Sequence, residues 1–160
     1  MKVTRFVLPV FFALFALPLN AYTVSVMIAE TALPLAAPLA EASIRWETGF
    51  MDTFFDAGHI VSNAPLARLA AAAGEVPAEC MDDLYAAGEG GVDYFILVLL
   101  NYEGYTGTGA PRPVWAELKM FRVTPYRLVA VTRFPAPGKT LETDHLANAR
   151  EAARMLLPHF

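Results

Sequence analysis

Hydrophobic positions along the chain follow two periods. In "VDYFILVLLNYEG" seven apolar residues run unbroken from Tyr94 to Leu100. A run of that length without polar interruption predicts a central strand covered on both faces. "YTVSVMIA", Tyr22 to Ala29, is rich in β-branched residues and predicts a first strand of the same kind. "PVWAELKMFRV" alternates instead. Ala116, Leu118 and Met120 point one way, and Glu117 and Lys119 point the other with Trp115 and Phe121. "TPYR" supplies a tight turn with Pro125 at its second position, so "RLVAVTRF" is the returning strand of a hairpin. "HIVSN", from His59, has room for a short strand.

The other blocks repeat every three or four residues. In "AEASIRWETGFMDTFFDAG", Ile44, Thr48, Met51 and Phe55 form one row, and Trp46, Phe50 and Phe54 form the next. Together they predict one broad helical stripe against a core. Pro38 suits the first turn of that helix. Gly49 costs about 1 kcal/mol against alanine in a helix, which predicts close packing at that point. "PLARLAAAAG" and "PAECMDDLYAAGEGG" read as two short helices, each ended by glycine. The first has the stripe Leu66, Leu69, Ala73; the second has Cys80, Leu84 and Ala87 with Met81. Asp82 and Asp83 are adjacent and do not face each other on a helix, so they belong to a solvated face. A last helix starts at Asp144, a good N-cap. It buries Leu146, Ala149, Ala153 and Leu156 and stops at Pro158. The predicted architecture is α/β (α+β): a single mixed sheet of about five strands with helices packed on it, in the order β-α-β-α-β-β-β-α.

"FFDAGHIVSN", Phe54 to Asn63, holds an acid, a histidine, a serine and an asparagine side by side. Local roles account for each of them. Gly58 falls where the helical pattern stops and suits the left-handed position after a helix. His59 follows it and, protonated, would face the orphan carbonyls of the helix end. Asn63 closes the strand. Ligand binding by His59 and Asn63 is the alternative.

Composition narrows the setting. The chain has 160 residues, 56% of them hydrophobic, and a formal charge of −4. "MKVTRFVLPVFFALFALPLNA" has Lys2 and Arg5, then an apolar stretch from Phe6 to Leu17, then Asn20-Ala21. About twelve apolar residues are too few for a hydrocarbon core of about 30 Å. The pattern is that of a secretory signal peptide over residues 1–21, leaving one domain over 22–160. Removing Lys2 and Arg5 takes the charge from −4 to −6. No Lys/Arg cluster is present, which argues against nucleic acid and against an anionic membrane surface as partners. No integral membrane span is expected once the signal is cleaved. Cys80 is the single cysteine, so it has no internal disulfide partner, and it reads as a buried thiol. Gly104, Gly107 and Gly109 match neither nucleotide fingerprint.

The segments "TVSVMIAE", "FFDAGHIVSN", "YAAGEGGVDYFILVLLNYEG" and "AELKMFRVTPYRLVAVTRF", in that order, resemble a periplasmic fold. It is shared by the outer-membrane lipoprotein activators of penicillin-binding proteins, the curli-secretion lipoprotein and the N-terminal domain of TolB. The resemblance implies non-enzymatic work in the bacterial envelope: binding a partner protein and positioning or activating it. Two features depart from the pattern. Ala21-Tyr22 stands where the lipoproteins carry cysteine, so a periplasmic or secreted protein is expected rather than a lipoprotein. "EGYTGTGAPRP" is too short for two membrane strands of about 9–11 residues each.

The expected partner surface is aromatic: Tyr102, Tyr105 and Trp115, around the loop between central strands. No cofactor and no metal are expected, since neither HxH nor HExxH occurs. Two alternatives stand beside this. One is an exported carrier of a small ligand or lipid. The other is an exported hydrolase built on His59 and Ser62, for which no "GxSxG" elbow exists.

Overall fold

In the structure, a computed structural model, residues 21–35, 38–70, 75–103, 105–107 and 109–160 are described. Five strands form one continuous mixed sheet in the order β2-β1-β4-β5-β6, and a two-residue strand, β3, also pairs with β1. They are β1 (Thr23–Thr31), β2 (Ile60–Asn63), β3 (Ala67–Arg68), β4 (Tyr94–Asn101), β5 (Trp115–Arg122) and β6 (Arg127–Phe134). β1 is parallel to β2, β3 and β4, and the β4-β5 and β5-β6 pairs are antiparallel. Among the described residues three α-helices cover the sheet: α1 (Glu41–Asp56), α2 (Met81–Glu89) and α3 (His145–Arg154). The expected mixed sheet with packed helices is therefore present, with one small strand more than expected.

Alternation sorts the strand residues onto two cores. Val24, Val26, Ile28, Ile96, Val98, Ala116, Leu118 and Met120 pack against Trp46, Phe50 and Phe54 of α1 and Ala149, Ala152 and Ala153 of α3. Met27, Ala29, Phe95, Leu97, Leu99 and Phe121 pack against Cys80, Leu84 and Ala87 beside and within α2. β1 and β4 are buried on both faces because helices lie on both sides.

Several expectations need correction. Only the Trp46, Phe50, Phe54 row of α1 is buried, while Ile44 and Phe55 are 48% and 71% exposed. One helix presents only one arc to a sheet, and the row with three large aromatics removes more apolar area from water. "PLARL" is strand rather than helix: Ala67 and Arg68 pair with Ala29 and Glu30 of β1. Leu66 and Leu69 consequently pack into different cores. Ala73 lies outside the described residues. Pro38 precedes the helix instead of opening it, since α1 begins at Glu41.

Other expectations hold. Gly58 has φ +88°, and the amides of Gly58 and His59 bond to the carbonyls of Phe55 and Phe54. That is the Schellman arrangement of a helix end. Asp144 caps α3, accepting from the amides of Leu146 and Ala147. Cys80 is buried, and burial pushes its thiol up to about 11, so it is not nucleophilic near neutral pH.

Candidate functional site at the carboxyl ends of the parallel strands

β1 has β2 on one side and β4 on the other, with α1 covering one face of the sheet and α2 the opposite face. The strand order thus switches direction between β1 and β4. In open α/β sheets a crevice outside the carboxyl ends of the strands at such a switch is where ligands collect. The register places Thr31 beside Asn101, and Asn101 beside Trp115. A cavity of about 360 Å³ opens there, lined by Thr31, Ala32, Ala70, Leu99, Asn101, Trp115 and Glu117. It lies on the α2 side of the sheet, which α2, only nine residues long, leaves open toward the strand ends.

The polar groups of the crevice are held in place. Asn101 Nδ2 donates to Thr31 Oγ1 at 3.3 Å, and Asn101 Oδ1 accepts from the Glu103 amide at 2.9 Å. Thr31 Oγ1 donates to the Leu100 carbonyl. Glu117 Oε1 lies 3.0 Å from Lys119 Nζ, which also donates to the Glu75 carbonyl. The Arg133 guanidinium sits over the Trp115 ring, 4.2 Å from its centroid. This cation–π contact steadies both side chains at the rim. Ala32, next in the wall, has φ 62°. A non-glycine residue in that region is strained, and such strain concentrates near functional surfaces.

The three aromatics expected at a partner surface separate. Trp115 is half-buried at the crevice. Tyr105 is half-buried, packs against the α1-side core and donates to the Gly109 carbonyl. Tyr102 is fully buried and does not belong to any surface. Its hydroxyl lies 2.7 Å from Ser43 Oγ, and burial raises its pKa well above the ordinary tyrosine value. Ser43 and the Ala40 amide both donate to Glu30 Oε1 at 2.7 Å. Arg68 donates to Glu30 Oε2 and also to the Pro34 and Pro38 carbonyls. Glu30, at the end of β1, therefore caps the start of α1 with a carboxylate, where the helix dipole favours one. The network ties the end of β1 to the start of α1 and to Arg68 of β3.

His59 and Asn63 do not meet. Asn63 Nδ2 donates to Glu47 Oε1. His59 is not a cation over helix carbonyls, as the local reading expected. Its Nδ1 accepts from the Tyr22 amide at 3.3 Å, and its ring stacks on Phe160 with centroids 4.4 Å apart. Burial lowers its pKa from the ordinary 6.5. Because the folded state prefers the neutral ring, its contribution to stability is complete above pH 6.5 and declines as the pH falls below it. Denaturant titrations from pH 8 to pH 5 should show wild type losing stability relative to His59→Gln as the solution is acidified. A gap that stays constant across this range would show that the imidazole does not titrate there.

Among the described residues no group of three or more His, Cys, Asp and Glu side chains is placed to hold a metal ion. Nor is any described helix long and apolar enough to cross a membrane.

No protein-family model and no curated protein sequence matches this chain. Solved structures with a similar course of the chain include a point variant of PelC from Paraburkholderia phytofirmans, described as a dodecamer. It is 18% identical, with a TM-score of 0.49, over 86% of this chain and 88% of that one. Protein XCC0632 from Xanthomonas campestris, of family DUF330, is 16% identical, with a TM-score of 0.42, over 89% and 85%. The likeness is one of fold. Superpositions this loose leave function to the chain's own residues.

Sequence reading missed Thr31, Asn101, Glu117 and Arg133. The available signal was positional: Thr31 and Asn101 end the two most apolar strands, where the switch-point rule directs attention.

Proposed function

We propose that this protein is a non-catalytic, exported binding module that engages a partner protein of the bacterial envelope through the crevice at Trp115, and so positions or activates it. The single observation that carries the reading is the rim itself. An accessible tryptophan braced by an arginine stands over a pocket with fixed amide, hydroxyl and carboxylate groups. Tryptophan and arginine are the residues that most often anchor protein interfaces. Export is supported by the pattern of residues 1–21, and the envelope setting by the resemblance in element order.

A photo-crosslinking residue at Val114, which is exposed beside Trp115, tests this in intact cells. An adduct with a distinct envelope protein is expected. Trp115→Ala should then weaken it by at least about 2 kcal/mol, roughly thirtyfold in affinity, if the indole is an interface anchor. Absence of any adduct at Val114, or an adduct unaffected by Trp115→Ala, would remove the support.

Carriage of a small ligand is a second reading, favoured by the cavity volume, which falls within the range of about 300–1,000 Å³ for ligand pockets. It predicts that the purified protein releases an organic molecule on denaturation.

A further inference from the structure

The end of the sheet opposite the crevice has its own character. The register aligns Thr23 with Ile60, Val24 with Tyr94, Tyr94 with Arg122, and Arg122 with Arg127. These residues begin β1, β2, β4 and β6 and finish β5, so they lie across one end of the sheet. The last turn of α1 leads through His59 into β2 at this end. Phe160 arrives here too, stacked on His59 and edge-on to Tyr94. Phe55, Ile60 and Met155 are exposed here by 71%, 64% and 40%. Arg122, Arg127 and Arg154 are exposed among them, together with Asp56, Glu89 and Asp93, so the charges balance.

Apolar exposure alone does not single out this end, because Leu35, Leu39 and Val114 are exposed at the other. The direction of the chain does. Phe6 to Leu17 is apolar, and only residues 18–21 separate it from Tyr22 at this end. Five residue steps span at most about 18 Å. While residues 6–17 are held in a bilayer, the end bearing Tyr22 cannot leave the bilayer surface.

We propose that this end is a lipid-facing surface in the chain that still carries residues 1–21. Phe55, Ile60 and Met155 enter the interfacial layer, where apolar side chains are favoured. The arginines keep their head groups in the water above it. No cluster of basic residues is required, so zwitterionic lipid suffices. The Trp115 crevice, at the opposite end of the strands, then points away from the membrane. This inference does not depend on what the crevice binds.

The test uses the full chain in phosphatidylcholine vesicles, with single nitroxide labels at Phe55→Cys and Ile60→Cys, and at Leu39→Cys and Val114→Cys for the opposite end. All four positions are exposed, so each substitution leaves the core intact. Cys80, fully buried, stays unlabelled, and the absence of label in wild type checks the fold. Collisions with oxygen should exceed those with a nickel chelate at positions 55 and 60, and the order should reverse at 39 and 114. Water-like behaviour at 55 and 60 overturns the proposal, as does lipid-like behaviour at all four sites. Dipolar broadening at 55 or 60 would assign this surface to a second copy of the chain and overturn it as well.

Discussion

Replacing Glu30 by alanine should destabilise the fold by about 3–5 kcal/mol, the usual cost of removing one partner of a buried ion pair. Glu30 is fully buried, and the Arg68 side chain beside it is only 7% exposed. Alanine would remove the carboxylate that faces that guanidinium in the protein interior. It would also remove the acceptor for the Ser43 hydroxyl and the Ala40 amide, and the anionic cap of α1 with them. Chemical denaturation at neutral pH measures the loss. The double replacement Glu30→Met with Arg68→Met should recover part of it, since an apolar pair leaves no buried charge although the Ser43 hydroxyl and the Ala40 amide still lack their acceptor. A loss below about 1 kcal/mol in Glu30→Ala, the range of surface pairs, would mean that the network is solvated and does not hold the strand end to the helix.

Gly49→Ala should also destabilise, although alanine is the better helix former by about 1 kcal/mol. A Cβ at position 49 would lie 2.6 Å from the Ala149 Cβ and 3.1 Å from the Leu146 carbonyl oxygen. Neither atom is the end of a flexible side chain, so α1 and α3 must separate. Overpacking of this kind costs about 1–3 kcal/mol, which leaves a net loss of up to about 2 kcal/mol after the propensity gain. Separation would also stretch the Arg150–Asp52 contact, now 2.7 Å, across the same pair of helices. Gly49→Ala combined with Ala149→Gly restores the space from the other side. The double-mutant cycle should therefore show a favourable coupling of about 1 kcal/mol or more. Additive effects would show that the helices do not touch there in solution.

Both expectations concern positions that the sequence marks unevenly. Gly49 stood out because glycine inside a helical pattern needs a reason, and close packing is the reason found. Glu30 carried no such mark. It reads as the polar end of an apolar strand, and its partners Ser43 and Arg68 lie 13 and 38 positions away in the chain. The same holds for the crevice. Trp115 was legible as an aromatic beside a loop, but Tyr102 was equally so and proves to be core. Local chemistry does not distinguish a tyrosine that faces solvent from one whose hydroxyl meets a buried serine. His59 was rightly placed after a terminating glycine, yet the Phe160 ring that stacks on it comes from the far end of the chain.

What the sequence determined by itself is the set of strongly periodic elements. The unbroken apolar run of β4, the alternation of β5, the glycine after α1 and the cap of α3 depend on interactions within a few residues, so they are legible locally. Tertiary structure decided which of two adjacent apolar rows on α1 is buried. It also made "PLARL" an edge segment pairing with β1, and brought Thr31, Asn101 and Trp115 together at one opening. Each of those outcomes depends on what lies across the sheet or on the neighbouring helix. Contacts between residues tens of positions apart are chosen by packing of the whole domain, and no short window of the chain contains both partners.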